Sequence, residues 1–307
     1  MLIIFGQEQD PHVLEIANSA HKICDTTVLN HYDFFEHTLD VRKGVINDYA
    51  NDAIYYFRIK PNFFKKLEFA DRYQEGFWYA EWANFIQGLS HTVNISNQID
   101  PLTNAFKASN KIYQLKTALS CGLSVPATIV TNKYNCIIEF LSVHKRIIYK
   151  ALSSILPANN KTLYTHLIDH SNIGMLESLI QSTPGIFQNF VEKEYELRIF
   201  ANKSTSCAAK VAPKSGLGQI DWRIEQRNPI YYNYSVNKSL QQKMAEYLSK
   251  VGLDTGVFDF IKSSSGEYIF LECNPHGQWL PIGAAEDGER PSRIFAEVLI
   301  SKLESLQ

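Results

Sequence analysis

Short apolar runs alternate with an amphipathic segment at the start of the chain. Leu2–Phe5, Thr26–Leu29 and residues 53–57 are apolar or β-branched and predict short strands. Pro11–Ala20 has its apolar residues at helical spacing and predicts a helix. Strands that alternate with helices are typical of a small α/β unit. Arg58 directly follows the third strand, where a ligand contact is common, although a solvated arginine is the simpler interpretation.

An aromatic segment and a polar one follow this unit. Residues 63–89 carry aromatic side chains at helical spacing, which favours a helix packed on a core over a ligand site. Residues 94–101 are polar and end in Asp-Pro, which indicates a linker. We therefore expect a first domain over residues 1–100, followed by units over 101–187 and 188–307.

The remaining chain repeats the alternation of strands and helices. Ser109 is a suitable N-cap for a helix over residues 110–119, and Gly122 followed by Pro126 is a typical stop signal. The pattern predicts strands over Thr128–Thr131, 146–150, 186–191, 196–200 and Ser206–Val211. It predicts helices over 175–181, 240–251 and 293–303, and a mobile glycine-containing loop over 213–223.

A β-hairpin is the most informative segment of the chain. Two apolar runs, 257–262 and 267–275, flank a serine-rich turn that ends at Gly266. We expect Lys262 to lie opposite Glu267, a register that places Asp259 opposite Phe270. Because side chains alternate between faces, Phe270 would then share its face with Asp259, Glu272 and Asn274.

These last three residues suggest a cation site. Asp259, Glu272 and Asn274 bring two carboxylates and an amide oxygen into a sheet that is otherwise apolar. Hard oxygen donors of this kind suit Mg²⁺, which keeps waters and shares its shell with phosphates. The alternative is an exposed hairpin whose charges are unrelated to one another.

Composition removes several classes of function. The chain has 307 residues, 45% hydrophobic and 20% charged, which is ordinary for a globular protein. A net charge of -2 gives no nucleic-acid footprint, and no apolar run is long enough for a membrane helix. The five cysteines are scattered without Cys-x-x-Cys spacing, which favours reduced thiols in a cytoplasm over a zinc site. The common phosphate-loop, dinucleotide-binding, nucleophile-elbow and zinc-protease motifs are absent.

The order of the polar residues is more specific than any one of them. It runs Asn110-Lys111, Lys150, Gln188-Asn-Phe-Val-Glu192, Glu196-x-Arg198, Lys210, Asp221-Trp-Arg223, Asp259 and Glu272-x-Asn274. In this order the chain resembles the ATP-grasp ligases over about residues 100 to 300. The resemblance implies an α+β protein with the ATP-grasp fold, in which two α+β subdomains clamp ATP behind a small α/β pre-ATP-grasp domain.

The resemblance also implies ligands for the nucleotide. It places Lys111 and Lys150 on the phosphates, Gln188, Phe190 and Val191 at the adenine hinge, Glu196 on the ribose and Lys210 in the nucleotide site. Asp259, Glu272 and Asn274 are the implied Mg²⁺ ligands. Taken singly, a strand-terminal lysine is more often solvated, and Glu196 with Arg198 could be a surface pair.

Three further residues receive catalytic roles from the resemblance. Arg198 and Arg223 are placed to neutralise charge on the γ-phosphate and on an acyl phosphate. Asp221 would orient or deprotonate the attacking nucleophile, or only hold Arg223 in place.

A narrower resemblance concerns the substrate. The motifs Gly122-Leu-Ser-Val-Pro126 and Gly277-Gln-Trp279, among others, are similar to those of graspetide (microviridin-type) peptide ligases, which act in RiPP maturation. The RimK-type glutamate ligases are more distantly similar. The resemblance implies a precursor peptide with a leader segment as partner, a homodimer, and macrocyclisation through esters or amides. A RimK-like amino-acid or small-molecule ligase and a non-catalytic ATP-binding module remain alternatives. We expect the segment Gly277-Gln-Trp279 to lead toward the acceptor, and we have no role for His276.

Overall fold

The computed structural model describes residues 1–29, 39–40, 42, 45–46, 53–58, 70–152, 165–211, 231–284 and 290–306. Within these residues the structure contains three larger sheets and one short hairpin. The hairpin joins β3 (Leu39–Asp40) and β4 (Val45–Ile46). No helix among the described residues has the length and apolar character needed to cross a membrane.

The amino-terminal sheet is parallel and buried on both faces. Its strands are β1 (Leu2–Phe5), β2 (Thr26–Leu29), β5 (Ile54–Phe57) and β6 (Gln98–Ile99), in the order β2-β1-β5-β6. Helix α1 (Pro11–Ala20) packs on one face and α2 (Arg72–Thr92) on the other. Continuous apolar strands of this kind suit a parallel sheet covered by helices. The predicted α/β unit is therefore confirmed; the first residues of the predicted aromatic helix, 63–69, lie outside the described residues.

The central sheet is antiparallel and has helices on one face. It is preceded by α3 (Leu102–Ala108) and α4 (Lys111–Ser120). The sheet and its helices comprise β7 (Thr128–Thr131), α5 (Tyr134–His144), β8 (Ile147–Lys150), β9 (His166–Ile168), α6 (Glu177–Ser182) and β10 (Gly185–Asn189). The strand order is β7-β10-β8-β9, and Ile137, Leu141 and Phe187 form the core beneath α5 and α6. β10 spans the boundary that we placed between residues 187 and 188.

The cap of α4 differs from the prediction. Asn110, not Ser109, is the N-cap, and its side chain accepts hydrogen bonds from the backbone N–H groups of Ile112 and Tyr113. Ser109 instead ends α3, where its hydroxyl donates to the carbonyl of Ala105. The prediction was wrong because the separate helix α3, whose C-cap is Ser109, was not anticipated.

The third sheet is antiparallel and is the largest of the three. Its elements are β11 (Lys193–Asn202), β12 (Ser206–Val211), β13 (Tyr231–Tyr234), α7 (Lys238–Val251), β14 (Thr255–Ser263), β15 (Tyr268–Asn274) and α8 (Ser292–Glu304). The strand order is β13-β12-β11-β14-β15. α4 and α7 cover one face around Tyr247 and Phe258. Part of the other face joins the core of the amino-terminal sheet through Phe200, Val257 and Trp279.

The last helix, α8, packs on the first helix, α1. Ile294 and Phe295 of α8 share a buried cluster with Val13 and Ile16 of α1. The amino-terminal sheet and the third sheet are therefore held together by one continuous core. This arrangement fixes the carboxyl ends of β1 and β5 close to the segment that follows β15, where the candidate site lies.

Candidate active site

A row of polar residues crosses the third sheet. Arg198 on β11 pairs with Asp259 on β14, and Asp259 pairs with Glu272 on β15. Two residues further along, Asn274 pairs with Val257, so it lies on the same face as Asp259 and Glu272. Asn274 Nδ2 donates to Glu272 Oε1 at 3.0 Å. The strand pairing thus brings all three predicted metal ligands to one face of the third sheet, the metal face.

The register of the hairpin differs from the prediction. Lys262 lies opposite Tyr268, not Glu267, and Phe270 lies opposite Phe260, not Asp259. Leu271 is an extra residue between the two registers, a β-bulge that moves Phe270 to the opposite face. Phe270 is consequently buried in the core under α4 and α7. Because of the bulge, Glu272 and Asn274 share the face of Asp259, whereas Phe270 lies on the opposite face.

This donor set fits a magnesium ion in its chemistry. Asp259 is part-buried, and Arg198 Nη1 lies 2.9 and 3.0 Å from its two oxygens. A carboxylate has about four lone-pair sites, so Asp259 can keep this ion pair and still bind a cation. Among the described residues no group of three or more His, Cys, Asp and Glu side chains could hold a metal. The site therefore depends on two carboxylates with one amide oxygen, leaving positions for phosphate oxygens and water.

Two lysines lie at the end of β8 in the central sheet. Lys150 ends β8 and pairs with Ile186 on β10. Lys111, in the first turn of α4, donates from Nζ to the carbonyl oxygen of Ala151 at 2.6 Å. Because Ala151 directly follows Lys150, the two lysines predicted to contact phosphate lie at the same strand end.

Gln114 connects the helix that carries Lys111 to strand β15. Its Nε2 lies 2.9 Å from the carbonyl oxygen of Cys273, and its Oε1 accepts from the Cys273 backbone N–H at 3.0 Å. Cys273 stands between Glu272 and Asn274. Lys111 and Gln114 are three residues apart and share one face of α4. The helix therefore holds Lys111 beside the strand that carries two of the proposed metal ligands. Sequence reasoning gave Gln114 no role of its own, because its partner is 159 residues away.

The connection between the central and third sheets has buried acceptors without partners. Gln188 is 1% exposed, and its Nε2 donates to Thr128 Oγ1 at 3.0 Å. Its Oε1 and the Oδ1 of Asn189 are buried and have no hydrogen-bond partner among the described residues. Phe190 follows, with the Arg146 guanidinium 4.5 Å from its ring centroid. Gln188 and Lys150 point to the face of the central sheet opposite α5 and α6.

Glu196 and Lys210 occupy different faces of the third sheet. Glu196, two residues before Arg198, lies on the face of Asp259 and forms a buried ion pair with Lys193 at 2.5 Å. Lys210 pairs with Leu197 and so points to the opposite face, where its Nζ lies 4.2 Å from the centroid of the Tyr195 ring. This placement does not support a nucleotide contact for Lys210, and that role stays a prediction. Asp221 and Arg223 lie outside the described residues.

The structure places three further residues, one in the amino-terminal domain and two in the segment after β15. Arg58 is 1% exposed and pairs with Asp10, which contradicts the interpretation of a solvated arginine. Trp279 is 2% exposed and stacks on Phe200, so its indole is part of the buried core. His276 is half-buried, and desolvation of its ring together with the charge of Arg58 lowers its pKa to about 3. The imidazole is therefore neutral at physiological pH.

The comparisons with known proteins give matches among solved structures. No protein-family model and no curated protein matches this chain. The RiPP-associated ATP-grasp ligase of Chryseobacterium gregarium, in complex with ADP and a leader and core peptide, matches with a TM-score of 0.84 at 20% identity. That match covers 98% of this chain and 96% of the ligase. The macrocyclase MdnC of Microcystis aeruginosa MRC, bound with precursor peptide MdnA, matches at 0.82 and 21% identity over 98% of this chain and 99% of MdnC.

A third structure is similar along its whole length. The ATP-grasp ligase PsnB, complexed with a minimal precursor, Mg and ADP, matches with a TM-score of 0.78 at 15% identity, covering 99% of this chain and 98% of PsnB. At such identities the likeness establishes the architecture. The chain therefore has the ATP-grasp fold, as the order of its motifs predicted.

Proposed function

We propose that this protein is an ATP-dependent, ADP-forming ligase that closes ester or amide cross-links within a precursor peptide. It would activate an Asp or Glu side chain of the peptide as an acyl phosphate. The observation that carries the proposal is that Lys111 lies at the end of β8 that carries Lys150, while Gln114 of the same helix bonds to the β15 backbone between Glu272 and Asn274. Cationic groups on one side and oxygen donors on the other are what a triphosphate with Mg²⁺ requires.

ATP would lie between the central and third sheets. The adenine amino group is a donor of the kind that Gln188 Oε1 lacks among the described residues. Phe190 and Val191 supply backbone groups and apolar surface beside it. Glu196 lies on the metal face, two residues from Arg198, at a position suited to the ribose. The phosphates would then extend toward Lys111, Lys150 and Asp259.

The proposed reaction has two steps. A carboxylate oxygen of the peptide attacks the γ-phosphorus, and the bond to the β-γ bridging oxygen breaks, giving an acyl phosphate and ADP. A Ser or Thr hydroxyl or a Lys amine of the same peptide then attacks the acyl carbon and releases inorganic phosphate. Mg²⁺, held by Asp259, Glu272 and Asn274, would supply charge neutralisation at the phosphates.

The protein's own residues position these groups and neutralise their charge. Lys111 and Lys150 would hold the phosphates as point charges on flexible stems. Arg198 holds Asp259 in place and brings a positive charge to the γ-phosphate. For the second step we retain Asp221 as the group that orients or deprotonates the nucleophile, and Arg223 as a charge partner of the acyl phosphate.

The peptide substrate is supported by the solved structures of similar fold. The Chryseobacterium gregarium ligase holds a leader and core peptide, and MdnC holds its precursor peptide. We propose that this chain likewise binds a precursor peptide with a leader segment. None of its five cysteines, all of which the structure describes, forms a disulfide, which suits a reducing cytoplasm.

We also propose that the protein works as a homodimer. Tyr73 and Phe77 of α2 are 89% and 68% exposed and lie one turn apart, an apolar surface suited to a contact between copies. Sedimentation of the wild type against a Phe77→Ser variant tests this. The variant should dissociate at concentrations where the wild type stays dimeric, whereas a monomeric wild type contradicts the proposal.

Incubation with a candidate peptide tests the proposed function. The peptide is one encoded beside this gene and rich in Thr, Ser, Asp and Glu; ATP and Mg²⁺ are added, and products are read by mass spectrometry. A ligase that cyclises the peptide removes one water per ring and releases one ADP for each. A mass gain would instead indicate addition of an amino acid, and an unchanged mass without ADP release would contradict the ligase.

A further inference from the structure

We propose that Arg58 and His12 of the amino-terminal domain are positioning residues for the metal ligands of the third sheet. The inference rests on the proposed function, because it concerns the same Mg²⁺ site. It assigns a second task to the domain that precedes the grasp. The domain would set the geometry of the segment after β15, and through that segment the geometry of Asp259 and Asn274.

Arg58 holds the beginning of this segment. Its Nε donates to Asp10 Oδ2 at 2.9 Å, which fixes the guanidinium at the carboxyl end of β5. Its Nη1 donates to the backbone carbonyl of His276 at 3.3 Å. His276 is two residues beyond Asn274, so the arginine restrains the backbone directly after a proposed metal ligand. Both members of the ion pair are almost fully buried, which limits their freedom to move.

His12 holds the end of the same segment. Its Nε2 accepts from the backbone N–H groups of Trp279 at 3.1 Å and Leu280 at 3.4 Å. Its Nδ1 lies 3.1 Å from Asp10 Oδ1, so Asp10 orients both the imidazole and the guanidinium. The acceptor role of Nε2 places the ring proton on Nδ1 in the neutral tautomer, facing the carboxylate. One buried aspartate thus aligns both contacts to the segment.

Arg198 links the segment after β15 to the proposed metal ligand Asp259. The segment fixed at His276 and Trp279 includes Gln278, whose carbonyl accepts from Arg198 Nε at 2.9 Å. Nη1 of the same guanidinium holds both oxygens of Asp259. Two of the three proposed metal ligands are therefore tied to the amino-terminal domain, Asn274 through the backbone and Asp259 through Arg198.

The junction is poorly suited to stability alone. Arg58 Nη2 and His276 Nε2 are buried without a hydrogen-bond partner among the described residues. Buried groups left in this way are costly, and an apolar set of similar volume could join the two domains without them. Directional bonds to chosen carbonyl and N–H groups are what a positioning role requires. Replacement of residues that orient metal ligands, without binding the metal themselves, commonly changes metal affinity.

Metal binding by the full-length protein tests the inference directly. Mn²⁺ replaces Mg²⁺ and is titrated in the presence of ADP, with free Mn²⁺ followed by electron paramagnetic resonance. Arg58→Lys keeps a cation beside Asp10 but cannot also reach the His276 carbonyl. His12→Phe keeps a ring against Trp279 but removes the acceptor. Each variant should raise the Mn²⁺ dissociation constant by about tenfold.

A core variant of the same domain is the matched control. Ile16→Val removes one buried methyl group of α1 and touches none of these contacts. It should lower the melting temperature yet leave the Mn²⁺ dissociation constant unchanged. The inference is overturned if both Arg58→Lys and His12→Phe bind Mn²⁺ like the wild type. It is overturned also if Ile16→Val weakens Mn²⁺ binding as much as they do. If one variant fails to fold, the other decides, and a wild type that binds no Mn²⁺ with ADP removes the metal site and the inference together.

Discussion

Arg198 and Asp259 face each other across β11 and β14, and one guanidinium nitrogen, Nη1, lies 2.9 and 3.0 Å from the two carboxylate oxygens. The same guanidinium donates from Nε to the carbonyl of Gln278. The central carboxylate of the proposed metal site is therefore held from the neighbouring strand and from the segment after the hairpin. The proposed chemistry depends on this restraint, because a loosely held carboxylate would not fix a metal between phosphates.

Removal of one negative charge from the proposed metal site should strongly reduce turnover. Asp259→Asn and Glu272→Gln keep the side-chain size but each remove one anionic donor, so ADP release should fall by at least about a hundredfold. Glu194→Gln is the control, because Glu194 lies on β11 but is exposed. ADP release is measured with a coupled assay at saturating Mg²⁺. Full turnover by Asp259→Asn would exclude the metal assignment.

The two lysines should act on nucleotide affinity. Lys111→Met and Lys150→Met each remove a cation near the proposed phosphates and should raise the dissociation constant for ATP by about tenfold or more. Lys116→Met is the matched control, since Lys116 lies on the same helix as Lys111 but is exposed. Equilibrium binding of ATP with Mg²⁺ is the measurement. Equal affinity in Lys111→Met and Lys116→Met would show that Lys111 does not bind phosphate.

Gln188 should select the base. Its Oε1 is buried without a partner among the described residues and is suited to the adenine amino group. Gln188→Leu removes this acceptor and should raise the ATP dissociation constant by about tenfold while changing GTP binding much less. Competition of ATP and GTP for the site measures the ratio. An unchanged preference for ATP would place the adenine elsewhere.

Asp100 should make stability depend on pH. Burial and the nearby Asp254 carboxylate raise its pKa from the ordinary 3.8 to about 7, although Thr255 donates to it. The folded state therefore binds more protons than the unfolded chain between these values, and the free energy of unfolding contributed by Asp100 falls as pH rises through that window. Other charged or titratable groups nearby are Lys203 and Lys302, which pair with Asp254, and the buried Tyr56 and Cys273.

Urea unfolding of wild type and Asp100→Asn isolates this contribution. The asparagine cannot titrate, so the stability of the wild type relative to the variant should decrease steadily from pH 5 to about pH 8. Other titrating groups cancel in the difference. A difference in unfolding free energy that is constant across this range would show that Asp100 keeps an ordinary pKa.

Local patterns predicted much of the fold. The apolar runs and helical spacing located β1, α1, β2, β7 and β12 with the bounds that the structure shows. The order of polar residues along the chain indicated the ATP-grasp fold. These signals are local, or depend only on the order of residues along the chain, so they can be recognised without knowledge of tertiary contacts. The short helix α3 was not anticipated, because it has no side-chain cap to mark its start.

Long-range relationships could not be predicted in the same way. The bulge at Leu271 interrupts the alternation of faces, and nothing in the hairpin sequence marks the extra residue. Arg58 was expected in solvent because its partner, Asp10, lies 48 residues earlier. The link between Gln114 and Cys273 is likewise a tertiary contact. These are the contacts that position the candidate site, so its residues were easier to predict than their arrangement.

The transfer of oxygen from peptide to phosphate tests the central claim most directly. A precursor peptide whose Asp and Glu carboxylates carry ¹⁸O is incubated with the protein, ATP and Mg²⁺, and the released phosphate is analysed by mass spectrometry. Activation as an acyl phosphate predicts one ¹⁸O atom in each inorganic phosphate, with ADP as the other product and one water lost from the peptide per ring. Label in AMP, or unlabelled phosphate alongside cyclised peptide, would contradict the account.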